Sequence, residues 1–262
     1  MDTSLSLLST LFTLLLPPQP TAPEHYQPAV DVSWQIQLQG TANTGYDAEL
    51  YILDLFDTPE HVITDLQASG RKVICYFSAG TFENWREDKN RFLATDKGRR
   101  LGNWPGERWL DIRSQNVRHI MADRIALAAD KGCDGVDPDN VDGYSNRTGF
   151  PLTADNQLDY NRFLFQTAHD AGLAVSLKND LGQAAELVND VDFAVNESCH
   201  QWQECHLLQP FIDAGKPVLH IDYLYGQDPQ GHAQHCQHMA SLGFRSLTLP
   251  LALDDGYRLS CF

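Results

Sequence analysis

Positive charge is scarce in this chain. Lysine and arginine number 19 against 35 aspartates and glutamates, a formal charge of −16 at neutral pH. Nucleic acids and anionic membrane surfaces are bound through cationic patches, so neither is an expected partner. A cationic substrate suits this balance, as does an acidic surface that serves solubility alone. Past the amino terminus no apolar run approaches the roughly 18 residues a membrane helix needs, which argues against a transmembrane protein. Phosphate-cradling glycine loops of the GxGxxG or GxxxxGK[ST] kind are missing, and so is the GxSxG elbow of a serine hydrolase. No two cysteines stand in CxxC spacing, and internal repeats and low-complexity tracts are absent.

The 262 residues fit one or two average domains, but an α/β barrel fills about 250 residues as a single domain. With 42% hydrophobic and 21% charged residues, the chain has material for a sizeable core and is not of disordered composition. Leu5 to Leu16 is apolar apart from Ser and Thr and stops at Pro17-Pro18. That is too short to span a bilayer and fits the core of a secretory signal, although a basic leader is missing and the only early charge is Asp2. We therefore expect residues 1–22 to be a signal peptide and 23–262 one barrel domain of a secreted or periplasmic protein. A buried amino-terminal helix is the alternative. Six cysteines make an even set, which in an oxidising compartment implies disulfides. Cys199–Cys205 is the first expected pair, Cys236–Cys261 the second and Cys75–Cys133 the third, with Cys75 alternatively an inert core thiol.

Short β-rich runs alternate with helical patterns from residue 33 onward. Strands are expected at 33–38, 50–53, 72–77, 135–137, 174–177, 193–195, 217–221 and 246–249. Helices are expected at 59–69, 117–131, 156–171, 181–188 and 229–242. Gly70, Gly132, Gly172, Gly215 and Gly243 punctuate the approach to successive strands as helix stops do. Alternation of this kind implies parallel strands with crossover connections, and eight units close into a (β/α)8 barrel of the TIM type. A doubly wound open sheet is the rival, weakened by the missing phosphate loop. Residues 82–111, rich in Trp, Arg and Asp, read as an excursion over one mouth of the barrel.

In such barrels the chemistry lies at the carboxyl ends of the strands. The candidates there are Trp34 and Gln37 on the first strand, Asp54 after the second, and Tyr76 on the third. Asp137, Asp139, Asn140 and Asp142 follow on the fourth, Lys178, Asn179 and Asp180 on the fifth, Glu197 on the sixth, and Asp222 and Tyr223 on the seventh. Carboxylates for acid/base work, amides for hydroxyls and rings for stacking together suggest a carbohydrate site. Calcium is a weaker reading of Asp137 to Asp142, because Val141 and Asp142 break the EF-hand template, and no metal ligand set is assigned. Lys178 as a Schiff-base lysine is a further alternative.

Four stretches, KVICYFSAG at 72–80, GCDGVDPDNVD at 132–142, LKN at 177–179 and FAVNESC at 193–199, resemble glycoside hydrolase family 114. WQIQL at 34–38, LDLFD at 53–57 and WLDIR at 109–113 extend the likeness over nearly the whole chain after residue 30. The resemblance implies a (β/α)8 barrel and endo-α-1,4-polygalactosaminidase activity on a cationic galactosamine polysaccharide, with no cofactor. It assigns the catalytic carboxylates to Asp139 and Glu197, with Asp137 as the competing choice for the first. Trp34, Gln37, Asp54, Tyr76, Asp137, Asn140, Lys178, Asn179, Asp222 and Tyr223 are expected to bind substrate, Asp222 through a sugar amine. A non-catalytic amino-sugar-binding barrel is the rival function.

Overall fold

Successive side chains of a strand face opposite ways, and in this chain both faces carry apolar residues, the pattern of strands buried on both sides. The computed structural model describes residues 25–102 and 104–262, so the expected signal peptide lies outside the described residues. The strands are β1 (Trp34–Gln37), β2 (Leu50–Asp54), β3 (Lys72–Ser78), β4 (Gly135–Asp139), β5 (Ala174–Lys178), β6 (Phe193–Glu197), β7 (Val218–Asp222) and β8 (Arg245–Thr248). Each pairs in parallel with the next, so the sheet keeps chain order and curls into a barrel. One residue phase of these strands, including Trp34, Ile36, Leu50, Ile52, Ile74 and Phe193, fills the interior. The other phase, including Tyr51, Leu53, Val73, Val136, Val175 and Val218, packs outward into a larger apolar layer.

Helices α1 (Glu60–Ala68), α2 (Gln115–Asp130) and α3 (Ala154–Asp170), with the helix Pro229–Leu242, cover that outer layer. Helix α3 begins at a capping box between Thr153 and Asn156. It stops where Gly172 takes φ 76°, a left-handed step that costs glycine little. The helical coat is less regular than the sequence suggests. The helix expected at 181–188 forms as a 3-10 turn, Leu181–Gln183, continued by a one-turn helix, Ala184–Leu187. The short helices Cys199–Trp202 and Gln209–Asp213 follow β6, and β8 leads to a strand, Leu259–Ser260, which pairs antiparallel with it. The excursion after β3 is a three-stranded antiparallel sheet of Thr81–Glu83, Lys97–Arg100 and Glu107–Leu110.

Side chains bridge the seam between β1 and β8. The Trp34 indole donates to the Arg245 carbonyl (2.9 Å), and Arg245 Nε donates to the Val32 carbonyl (3.0 Å). Arg258 reaches from near the carboxyl end of the chain to Gln35 Oε1 (2.8 Å) and the Trp34 carbonyl (2.9 Å). All three expected disulfides form, with Cα separations of 6.0 Å for Cys75–Cys133, 4.8 Å for Cys199–Cys205 and 4.9 Å for Cys236–Cys261. These lie in the range the bond accommodates. Among the described residues no helix is long and apolar enough to cross a membrane.

Candidate active site

Strand phase decides which polar side chains reach the mouth. Asp139, Lys178 and Glu197 end β4, β5 and β6 in the same phase as interior residues such as Ala174 and Phe193. They converge on the floor of a cleft of about 1000 Å³ at the carboxyl ends of the strands. Lys178 Nζ stands between the two carboxylates, 3.3 Å from Asp139 Oδ1 and 3.5 Å from Glu197 Oε2. Those contacts cap the gap between the two facing oxygens at about 7 Å, short of most of the range used by inverting pairs.

Each carboxylate is also held from its far side. The Tyr76 hydroxyl donates to Asp139 Oδ2 (2.8 Å), and the Tyr223 hydroxyl donates to Glu197 Oε1 (2.5 Å). Asn179 works at both ends of its amide: Nδ2 donates to Glu197 Oε2 (3.0 Å), and Oδ1 accepts from the Glu197 backbone N–H (2.9 Å). The chain turns sharply beyond these strand ends, with Asn140 at φ 59°, Asn179 at 53°, Asp180 at 46° and Ser198 at 64°. Left-handed non-glycine residues gathered at one mouth are the kind of local strain that functional sites retain.

Electrostatics follow from the packing. Burial pushes the Glu197 carboxyl up, but the Lys178 ammonium and the bonds from Tyr223 and Asn179 outweigh it and hold it below the usual range. Burial opposes charge on Lys178 as well, yet Asp139, Glu197 and Asp137 together hold it protonated, well above an ordinary lysine. A lysine so held is no Schiff-base nucleophile, which needs the free amine. Beneath the floor, burial raises Asp137 to about 6. At the rim Asp142 is raised to about 6 by burial and then by Asp139.

The sequence model of glycoside-hydrolase family GH114 matches residues 16–262. The chain belongs to glycoside-hydrolase family GH114. Among solved structures, Aspergillus fumigatus Ega3, crystallised in complex with galactosamine, is 41% identical with a TM-score of 0.87, over 93% of this chain and 100% of Ega3. The glycoside hydrolase domain of PelA from Pseudomonas aeruginosa is 16% identical with a TM-score of 0.69, over 87% of this chain and 98% of the other. The trehalulose synthase MutB from Pseudomonas mesoacidophila is 10% identical, with a TM-score of 0.55 over 73% of this chain and 57% of MutB. The last two show likeness of fold alone. No curated protein sequence matches the chain significantly.

Several residues expected at the GH114 cleft lie elsewhere. Trp34 is fully buried at the start of β1, in the barrel floor, where its indole bridges the seam. Gln37 is out of phase with the interior Ile36, and its amide instead ties the loop at Gln39, Thr41 and Asn43. Asp222 is likewise out of phase with the interior Ile221. Buried among Thr248 and the backbone N–H groups of Leu224 and Tyr225, it does not line the cleft. Asp137 is also absent from the lining, fully buried with Ser176 donating to it. Asp54 reaches the cleft wall, but Arg86 grips both of its oxygens at 2.6 and 2.9 Å, so its charge is already matched. Tyr76, Asn140, Lys178, Asn179 and Tyr223 line the cleft with the two carboxylates.

The GH114 cleft also holds residues the strand-end reading missed. Trp85 and Trp104, from the excursion, and Trp202, from the short helix Cys199–Trp202 after β6, line it while 49%, 44% and 66% exposed. Rings left this open offer flat faces for sugar stacking. Glu83 and Glu107 add buried carboxyls to the excursion side, where burial raises Glu107 to about 7. Trp85 and Trp104 sit in loops and Trp202 ends the short helix Cys199–Trp202; exposed aromatics outside the strands are a usable signal. Glu83 and Glu107 stand on short excursion strands that no periodicity announces.

Proposed function

We propose that this GH114 hydrolase cleaves internal α-1,4 bonds of a galactosamine-containing polysaccharide, with Asp139 as nucleophile and Glu197 as acid/base. The observation that carries this reading is the Asp139–Lys178–Glu197 constellation on the floor of an open, tryptophan-lined acidic cleft. Similarity to a relative crystallised with galactosamine supports the sugar class. Free amines on such a polymer are cationic, which suits a chain of charge −16. The three disulfides support an oxidising, extracellular setting.

In the first step the Asp139 carboxylate attacks the anomeric carbon while Glu197 gives its proton to the departing glycosidic oxygen, leaving a glycosyl ester on Asp139. Glu197, now ionised, takes a proton from water, and the resulting nucleophile cleaves the ester with overall retention. Tyr76 and Lys178 orient the nucleophile, and Tyr223 and Asn179 orient the acid/base. Since Glu197 is held ionised in the free protein, the acid step is expected to favour mildly acidic solution.

Reducing-end release from de-N-acetylated galactosaminogalactan, followed over time, is the test. Asp139→Asn and Glu197→Gln are each expected to abolish release while melting as the wild type does. Full activity in either variant would remove that residue from the pair. Oligosaccharide products of mixed length indicate internal cleavage, whereas monosaccharide alone would contradict it.

A further inference from the structure

At the end of the barrel opposite the cleft, three side chains from distant parts of the sequence meet. His25 lies on the arm ahead of β1, His169 in the last turn of α3, and Asp192 immediately before β6. His25 Nε2 stands 2.8 Å from Asp192 Oδ1, and His169 Nε2 stands 3.0 Å from Asp192 Oδ2. The two imidazoles stack with centroids 4.3 Å apart and planes 16° from parallel. One ligand atom from each of the three residues lies within 4.8 Å of the others. Asp192 is fixed from behind, because its Oδ2 accepts the Val175 backbone N–H at 2.9 Å and its own N–H joins the Val175 carbonyl.

We propose that His25, His169 and Asp192 form a binding site for a divalent transition-metal ion that pins the amino-terminal arm to the base of the barrel. Imidazole nitrogens are borderline donors that suit zinc and its neighbours, zinc also accepts a carboxylate oxygen, and three protein ligands leave a position for water. The backbone N–H behind Asp192 is the outer contact that keeps a ligating carboxylate in place. His25 and His169 are 20% and 26% exposed, so both solvent and metal have access. In the metal-bound form each ring coordinates through Nε2 and keeps its proton on Nδ1. Any second proton carried by an imidazolium passes to solvent. Catalysis does not need this ion, since the carboxylate pair lies at the other mouth.

The test uses untagged protein stripped with a chelator and titrated with zinc sulfate by calorimetry, with metal content and Tm measured in parallel. One zinc per chain and a Tm raised by several degrees are expected, because a ligand that binds only the folded state stabilises it. His25→Ala and His169→Gln should each weaken zinc binding at least tenfold while leaving hydrolysis unchanged. The absence of stoichiometric binding overturns the proposal. So does binding that survives in the double variant, which would place the ion elsewhere, for instance on the histidines of the helix Pro229–Leu242.

Discussion

Replacing Tyr223 by phenylalanine removes one oxygen and leaves the ring in place. That oxygen donates to Glu197 Oε1 at 2.5 Å, a bond that favours the ionised carboxylate. A hydrogen bond to a charged group contributes about 1.5–3 kcal/mol, and about 1.4 kcal/mol moves an ionisation by one pH unit. The Glu197 side chain is 28% exposed, so the lower half of that range applies. Losing the bond makes Glu197 easier to protonate, with Lys178 and Asn179 still opposing. If Glu197 is the general acid, the alkaline limb of kcat/KM moves upward by about 1 to 2 pH units in Tyr223→Phe. The assay is reducing-end release across a pH series at substrate concentrations well below KM, which reports the free enzyme. An unmoved alkaline limb would refute the reasoning. Movement confined to the acid limb would reverse the roles, since it would show that Glu197 must be ionised to act.

Three further outcomes are expected. Asp180, raised to about 8 by burial and then by Asp142, has one oxygen without a hydrogen-bond partner. A carboxyl raised on folding stabilises below its unfolded value and loses that contribution as pH climbs through about 8. Thermal melts should therefore show stability falling from pH 4 to pH 8, by at most about 6 kcal/mol from this group, and falling less in Asp180→Asn. A β-carbon on Gly80 would land 1.7 Å from the Asn140 carbonyl oxygen, so Gly80→Ala should displace the Asp139–Asn140 turn and lower both kcat and Tm. Asp222→Asn should affect aminated and fully acetylated polymers equally at low and high salt, because Asp222 is enclosed by its own loop. A loss confined to the aminated polymer would return it to the cleft.

The barrel was legible because its strands are short apolar runs between helical stretches, and because glycines mark the helix ends. Motif likeness singled out Asp139 and Glu197, and the structure adds what spacing alone does not reveal, that Lys178 bridges them. Gln37 and Asp222 lie off the cleft for one shared reason, their outward strand phase. Barrel strands are buried on both faces, so an outward polar residue is no more conspicuous than an inward one. The phase was nonetheless present, since Leu219 and Ile221 point inward and His220 and Asp222 alternate with them. Trp34 lies off the cleft for a different reason, since the start of its strand is three residues from the mouth. The excursion was recognised as a unit, but which of its tryptophans face the cleft depends on how its antiparallel strands fold back.

The seam between β1 and β8 has a consequence for the order in which the barrel is made. Arg258 and the Trp34 carbonyl it clasps are 224 residues apart, among the widest separations the fold contains. At a synthesis rate of about 5–20 residues per second, β1 waits roughly 10–45 seconds for that partner to emerge. Throughout that interval the nascent sheet grows from one side only, and the far edge of β1 lacks the side chains that later cover it and stays open to other strands. The first strand out of the ribosome is thus the last to be secured, and a holding chaperone would have most to protect there.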